Sequence, residues 1–270
     1  MAYELMAVDV DGTLVNSHKV ITADTLDALI GIQEQGIKVA IASGRSTFGI
    51  MPLAKQLQLE KFGGFILSYN GGKITDCKTY ETIYSECLPD DMIPELYEFS
   101  KKHGLSILVY EKRQIVTESD EDKYVLLDSK ASHMAVHKVE SFVDYVKFPV
   151  NKCLLTGEPE HMKELEPLMR EQFKGRASIY RSEEFYLEAM PFGVDKAYGL
   201  SKLLRKLGYA RSQLVACGDG YNDVSMIDYA GLGVAMGGAA DGVKIHADYV
   251  APHCDEDGLV DVVNRFLKDR

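Results

Sequence analysis

The segment Asp9-Val10-Asp11-Gly12-Thr13-Leu14 follows the apolar run Leu5-Met6-Ala7-Val8 without a break. Two carboxylates, separated by one residue, stand at the end of what reads as a buried strand, and a glycine then turns the chain. Carboxylates are costly in such a place unless something cationic compensates them. A hard divalent cation does so with oxygen ligands from one or two carboxylates, water and substrate phosphate. The carboxyl ends of strands are also where open α/β sheets bind ligands. An ordinary Asp-Gly turn accounts for Asp11 and Gly12 but gives Asp9 no task. The pair points to metal-assisted chemistry on an anionic substrate.

Three other positions could serve that chemistry. Gly218-Asp219-Gly220-Tyr221-Asn222-Asp223 follows the apolar run Leu214–Cys217, and Asp219 and Asp223 are well spaced to complete a magnesium site with Asp9. The same loop also reads as a polar turn in which Asn222 or Asp223 caps the next helix. Ser43-Gly44 follows a second apolar run, Ile37–Ala42, and opens a helix. A hydroxyl with backbone amides at a helix start suits a phosphate, and equally suits an N-cap. Lys196 falls in the first turn of a helix, where the dipole disfavours a cation. It is either a solvated side chain or a bridge between nucleophile and phosphate.

The elements that must position these residues alternate. Leu5–Val10, Ile37–Ala42 and Gly64–Tyr69 read as strands, and Ile37–Ala42 is too apolar to be half exposed, as expected in a parallel sheet covered on both faces. A helix is predicted over 23–35, with Thr22 as N-cap, Leu26, Leu29 and Ile30 on one face and Gly36 at its end. Asn70-Gly71-Gly72 signals a hairpin. From about residue 80 the texture changes to a charged α+β block. It has helices near 91–102 and 159–173, and strands at Leu105–Tyr110, Gln114–Thr117, 177–181 and 185–189. Leu96, Phe99, Leu165 and Leu168 supply its apolar faces. After Pro191-Phe192-Gly193 the alternation resumes with a helix over 194–207, strands Leu214–Cys217 and Leu232–Met236, and a last helix near 258–267. The reading is an α/β fold: a Rossmann-like parallel-sheet core formed by 1–80 and 192–270, with 81–191 inserted as an α+β cap. The insertion is expected to pack separately and to close over the strand-end acids.

Composition narrows the function. The 270 residues carry a formal charge of -11 and are 46% hydrophobic, an ordinary globular balance. The acidic surplus argues against nucleic acid or a membrane surface as partner, since both reward a basic face. Five cysteines, odd in number and without a CxxC pair, suit a reducing compartment. No run approaches membrane-spanning length, and Asp9 precedes any signal-peptide core. A cytoplasmic protein is expected, monomeric or weakly dimeric.

Asp9–Leu14, Ile41–Arg45, Lys196 and Gly218–Met226 resemble, in order, the four motifs of the haloacid dehalogenase-like hydrolase superfamily. The insertion, with Gly233-Val234-Ala235-Met236-Gly237 and Asp257-Gly258, is similar to the Cof-like sugar-phosphatase branch with a large α/β cap, subclass IIB. Gly238 departs from that branch, which commonly has asparagine there, and Gly220-Tyr221 lies where the family varies. The resemblance implies a magnesium-dependent phosphatase of small phosphate esters. Asp9 would be the nucleophile and Asp11 the acid and base. Val10, Ser43, Gly44, Lys196 and Asn222 would hold the phosphoryl group, with Arg45 and Glu188 on the substrate. The ion, Mg2+, would bind Asp9, the Asp11 backbone carbonyl and Asp219, supported by Asp223.

The same residues admit other functions. A phosphosugar mutase of the same superfamily would reuse the aspartyl-phosphate. A phospho-accepting, receiver-like regulator is usually one small domain, which the insertion contradicts. A dinucleotide-binding module finds little support, because the glycines of 237–242 are too loose a pattern and too late in the chain. On the cap strands Lys152, Arg181 and Glu188 are either substrate-facing or ordinary structural residues.

Overall fold

The computed structural model describes residues 2–268. The chain leaves a first compact unit after Tyr84 and returns to it after Val194. That unit begins with β1 (Leu5–Val8), α1 (Ala23–Glu34), β2 (Lys38–Ala42), α2 (Thr47–Gln56), α3 (Leu59–Phe62), β3 (Phe65–Ser68), β4 (Lys73–Asp76) and β5 (Thr82–Ser85). The second unit carries α4 (Met92–Lys102), β6 (Ser106–Glu111), β7 (Gln114–Thr117), α5 (Lys123–Ser132), β8 (Ala135–Lys138), α6 (Phe142–Tyr145), β9 (Cys153–Thr156), α7 (Pro159–Gln172), β10 (Ala177–Glu183) and β11 (Tyr186–Pro191). The first unit then closes with α8 (Lys196–Leu207), β12 (Leu214–Gly218), α9 (Val224–Tyr229), β13 (Leu232–Ala235), α10 (Asp241–Lys244), β14 (Tyr249–Val250) and α11 (Gly258–Phe266).

The first unit is built on a sheet of order β14-β13-β12-β1-β2-β3-β4-β5. From β14 to β3 every pairing is parallel, and β3 pairs antiparallel with β4 through the Asn-Gly hairpin. Side chains of β1 divide between two cores: Met6 and Val8 on one face, Leu5 and Ala7 on the other. The sheet is therefore covered on both sides. Chain order reverses between β1 and β12, whose register pairs Val8 with Cys217. In open α/β sheets the crevice at such a reversal binds the ligand, and the aspartates of both loops leave the sheet there.

Local rules explain most element ends. Thr22 Oγ1 accepts from the Thr25 N–H to cap α1, and Gly36 at φ +93° ends it. The buried stripe of α1 is Thr25, Leu29, Ile32 and Gln33, with Leu26 and Ile30 only half-buried. The face is thus rotated from the predicted one, because Thr25 Oγ1 donates to Asp257 and draws a polar residue inward.

The second unit has a sheet of order β10-β11-β9-β6-β7-β8, antiparallel except for β7 with β8. Its core includes Leu96, Phe99, Leu165 and Phe173. The structure adds α5, β8, α6 and β9 to the elements read from sequence. In α5 only Val125 is buried while Leu126 and Leu127 are exposed, so the helical period is faint. Leu168, expected in the core, is 56% exposed, whereas Leu165 on the same helix is 3% exposed. Leu165→Ala should lower stability by about 2–4 kcal/mol, and Leu168→Ala by no more than about 0.5 kcal/mol, as read by denaturant unfolding.

Among the described residues, no cysteine is in a disulfide and no helix is long and apolar enough to cross a membrane.

Candidate active site

Asp9 follows β1 directly, and its N–H donates to the Cys217 carbonyl of β12 at 2.9 Å, so both loops leave the sheet locked together. Gly12, at φ +80°, lies where any Cβ would strike the Asp219 carboxylate. Only glycine lets the two acidic loops approach this closely. Thr13, nearly buried, donates from Oγ1 to Asp219 Oδ1 at 3.1 Å. Asp223 folds its own loop by accepting the Asp219 and Gly220 N–H groups on Oδ2 at 3.0 and 2.8 Å. It thus caps the loop, not the following helix.

Lys196 is the first residue of α8, after Asp195, which caps that helix by accepting from Tyr198 N–H. Its side chain is fully buried, and Nζ lies 2.5 Å from both Asp9 Oδ1 and Asp223 Oδ1. Burial disfavours the ammonium, but the charges of Asp223 and Asp9 outweigh it and hold the lysine above its ordinary pKa. Burial and the neighbouring Asp223 push Asp9 up despite Lys196, and burial raises Asp219 as well. Asp9, Asp219 and Asp223 each offer an oxygen within 4.8 Å of the others. Three carboxylates face one ammonium, an excess of negative charge in which Asp9, Asp223 and Lys196 are buried and Asp219 is half-buried.

Asp11 differs. Its carboxylate accepts from Arg45 Nε at 3.0 Å and Nη2 at 2.7 Å, and from Lys19 Nζ at 2.9 Å. Burial pushes its pKa up, but the Lys19 hydrogen bond and the Arg45 charge prevail and hold it below the usual carboxylate range. Arg45, assigned to substrate from the resemblance, is here engaged with Asp11. No spacing signal marks the Lys19 contact: that residue sits in the left-handed region at φ +60° in the loop after Asp11.

Ser43 and Gly44 follow β2, yet α2 begins only at Thr47, capped by Ser46 Oγ accepting from Gly49 N–H. The expectation that Ser43 starts the helix is corrected: its Oγ accepts from Arg45 N–H at 3.2 Å and holds a turn. The Val10 side chain is buried in the core, so only its backbone can contact a phosphate. Asn222 donates from Nδ2 to Asn70 Oδ1 at 3.2 Å. From sequence Asn70 is only a turn residue, since an Asn-Gly pair explains itself locally. Glu188 belongs to the second unit, where its Oε1 takes Lys152 Nζ at 2.8 Å and Ser182 Oγ at 2.9 Å. Arg181, also in that unit, pairs with Glu166.

The model of the haloacid dehalogenase-like hydrolases matches residues 6–263. The chain belongs to that family. A solved haloacid dehalogenase-like hydrolase from Bacteroides thetaiotaomicron is 44% identical, with a TM-score of 0.93 over 97% of this chain and 99% of the other. The HAD subclass IIB sugar phosphatase BT4131 is 27% identical, with a TM-score of 0.82, covering 97% of this chain and 98% of its own. The 5-amino-6-(5-phospho-D-ribitylamino)uracil phosphatase YcsE of Bacillus subtilis is 28% identical over 264 residues, 98% of this chain and 96% of YcsE. The hydrolase is thus a phosphatase of the haloacid dehalogenase superfamily, with the parallel-sheet core and inserted cap of subclass IIB.

Proposed function

We propose that this phosphatase hydrolyses small phosphorylated metabolites, sugar phosphates foremost, with Mg2+ and through an aspartyl-phosphate on Asp9. The observation that carries the reading is the Asp9 carboxylate, largely buried at the chain reversal of the sheet beside Lys196, Asp219 and Asp223. The donor set is all oxygen, which suits Mg2+, and its excess negative charge suits a divalent cation. Asp9, the Asp11 backbone carbonyl and Asp219 would hold the ion, with Asp223 in support. Bound there, Mg2+ neutralises charge between the carboxylate and the phosphate, which otherwise repel.

In the first half-reaction an Asp9 oxygen attacks phosphorus, the ester P–O bond breaks, and Asp11 protonates the leaving oxygen. In the second, Asp11 takes a proton from water as that water attacks phosphorus, and Asp9 leaves with its carboxylate restored. Arg45 and Lys19 hold Asp11 in the ionised form, the one that accepts this proton. To act as the acid in the first half it must carry a proton, which requires it to part from those cations. Ser43, Gly44, the Val10 backbone, Lys196 and Asn222 would fix the phosphoryl oxygens, and positioning with electrostatics supplies most of the rate. Arg45 would reach the substrate's remaining groups once it parts from Asp11.

The sugar-phosphate preference rests on two relatives, one named a sugar phosphatase and the other named for a phosphoribitylamino substrate. The test is a rapid-quench single turnover across sugar, polyol and nucleotide phosphates, with peptide mapping. A phosphoryl group on Asp9, followed by free phosphate, is expected. Return of the phosphoryl group as an isomerised sugar phosphate, or no modification of Asp9, would refute the reading.

A further inference from the structure

The turn joining β3 to β4 holds three consecutive residues in the left-handed region: Tyr69 at φ +53°, Asn70 at +48° and Gly71 at +89°. Two of them are not glycine, and such residues stay there only where their surroundings over-determine them. Those surroundings belong to the phosphate site. The Tyr69 N–H donates to the Arg45 carbonyl at 3.0 Å, and the Asn70 N–H to the Ser43 carbonyl at 2.9 Å. A Cβ on Gly71 would lie 2.5 Å from the Asp195 carbonyl, so the turn rests on the residue that caps the Lys196 helix. Finally, Asn70 Oδ1 accepts from Asn222 Nδ2, across 152 residues of sequence. Its amide also abuts Gly44, where a Cβ would lie 3.2 Å from Oδ1 and 3.3 Å from Nδ2.

A hairpin turn needs none of this from its side chain. Glycine serves the left-handed conformation better than asparagine, so the amide and its reach to Asn222 call for another reason. From this geometry we infer that Asn70 is a positioning residue: its side-chain carbonyl orients the Asn222 amide toward the phosphoryl group. An amide nitrogen carries two hydrogens. Asn70 takes one, which fixes the plane and direction of the other. The same turn, through its backbone bonds, sets Ser43 and Gly44 in register with that hydrogen. The inference rests on Asn222 being a phosphate ligand, as proposed above.

The test is a double-mutant cycle in the full-length, magnesium-loaded enzyme, read by kcat, KM and competitive inhibition by inorganic phosphate. Asn70→Gly keeps the turn and removes the amide. It should weaken phosphate inhibition and lower kcat/KM by about tenfold, in line with a mis-set hydrogen bond to a charged group. Asn222→Ala should do so at least as strongly. In the Asn222→Ala background, adding Asn70→Gly should cost less than about twofold, because the second residue acts only through the first. Asn70→Ser takes the place of the glycine variant if the latter fails to fold. Asn70→Gly with wild-type phosphate inhibition beside an impaired Asn222→Ala, or losses that multiply, would overturn the inference alone. An Asn222→Ala enzyme with unchanged phosphate inhibition would overturn the ligand assignment beneath it as well.

Discussion

Asp9→Asn should reduce turnover by roughly 10⁴-fold or more on every phosphate ester, because an amide does not serve as the nucleophile. The fold should survive. The amide is nearly isosteric with the carboxylate it replaces, the backbone bond from position 9 to Cys217 is unchanged, and Asp223 still pairs with Lys196. Stability should shift in a definite direction. Asp9 has a raised pKa in the fold, so the folded chain holds that proton more tightly than the unfolded one. Its contribution is therefore lost as pH rises through the folded value. Without added metal, Asp9→Asn should melt above wild type at pH 8, and the gap should shrink as the pH is lowered. Asp11→Asn should slow both half-reactions and let the phosphoenzyme accumulate. Mass spectrometry confirming the retained asparagine, with turnover equal to wild type, would show the aspartyl-phosphate mechanism to be wrong.

Removing metal should have a comparable effect. With excess chelator, turnover should fall by about 10³-fold or more, since Asp9 and the substrate phosphate would then meet with only Lys196 between them. Added Mg2+ should restore activity. Ca2+ should inhibit, because its larger, more flexible coordination can draw both Asp9 oxygens away from in-line attack. Gly12→Ala should weaken Mg2+ activation in particular, as its Cβ would displace the Asp219 carboxylate. Titrating activity against free Mg2+ measures both effects. Full activity after exhaustive metal removal would exclude this arrangement.

What was legible in the sequence was local. Gly36 and Gly208 end helices in the left-handed conformation that glycine alone adopts freely, and a residue's type is enough to say so. The apolar runs of β1, β2 and β12 mark buried parallel strands, because alternation disappears when both faces are covered. Acidic residues directly after such runs must sit at strand ends whatever the rest of the fold does. The tertiary structure decided matters that depend on partners far along the chain. Leu168 looks as apolar as Leu165, but only packing determines which of them α7 turns inward. Ser43 and Ser46 are both competent caps, and hydrogen-bond geometry chose Ser46. The clamp of Arg45 and Lys19 on Asp11 joins side chains that no spacing rule connects. Asn70 is the sharpest case. Its local signal, an Asn-Gly turn, is complete in itself and hides a contact to Asn222 that arises only when β3 and β12 enter one sheet. Backbone preferences act over a few residues, whereas side-chain partners are set by the burial of the whole core.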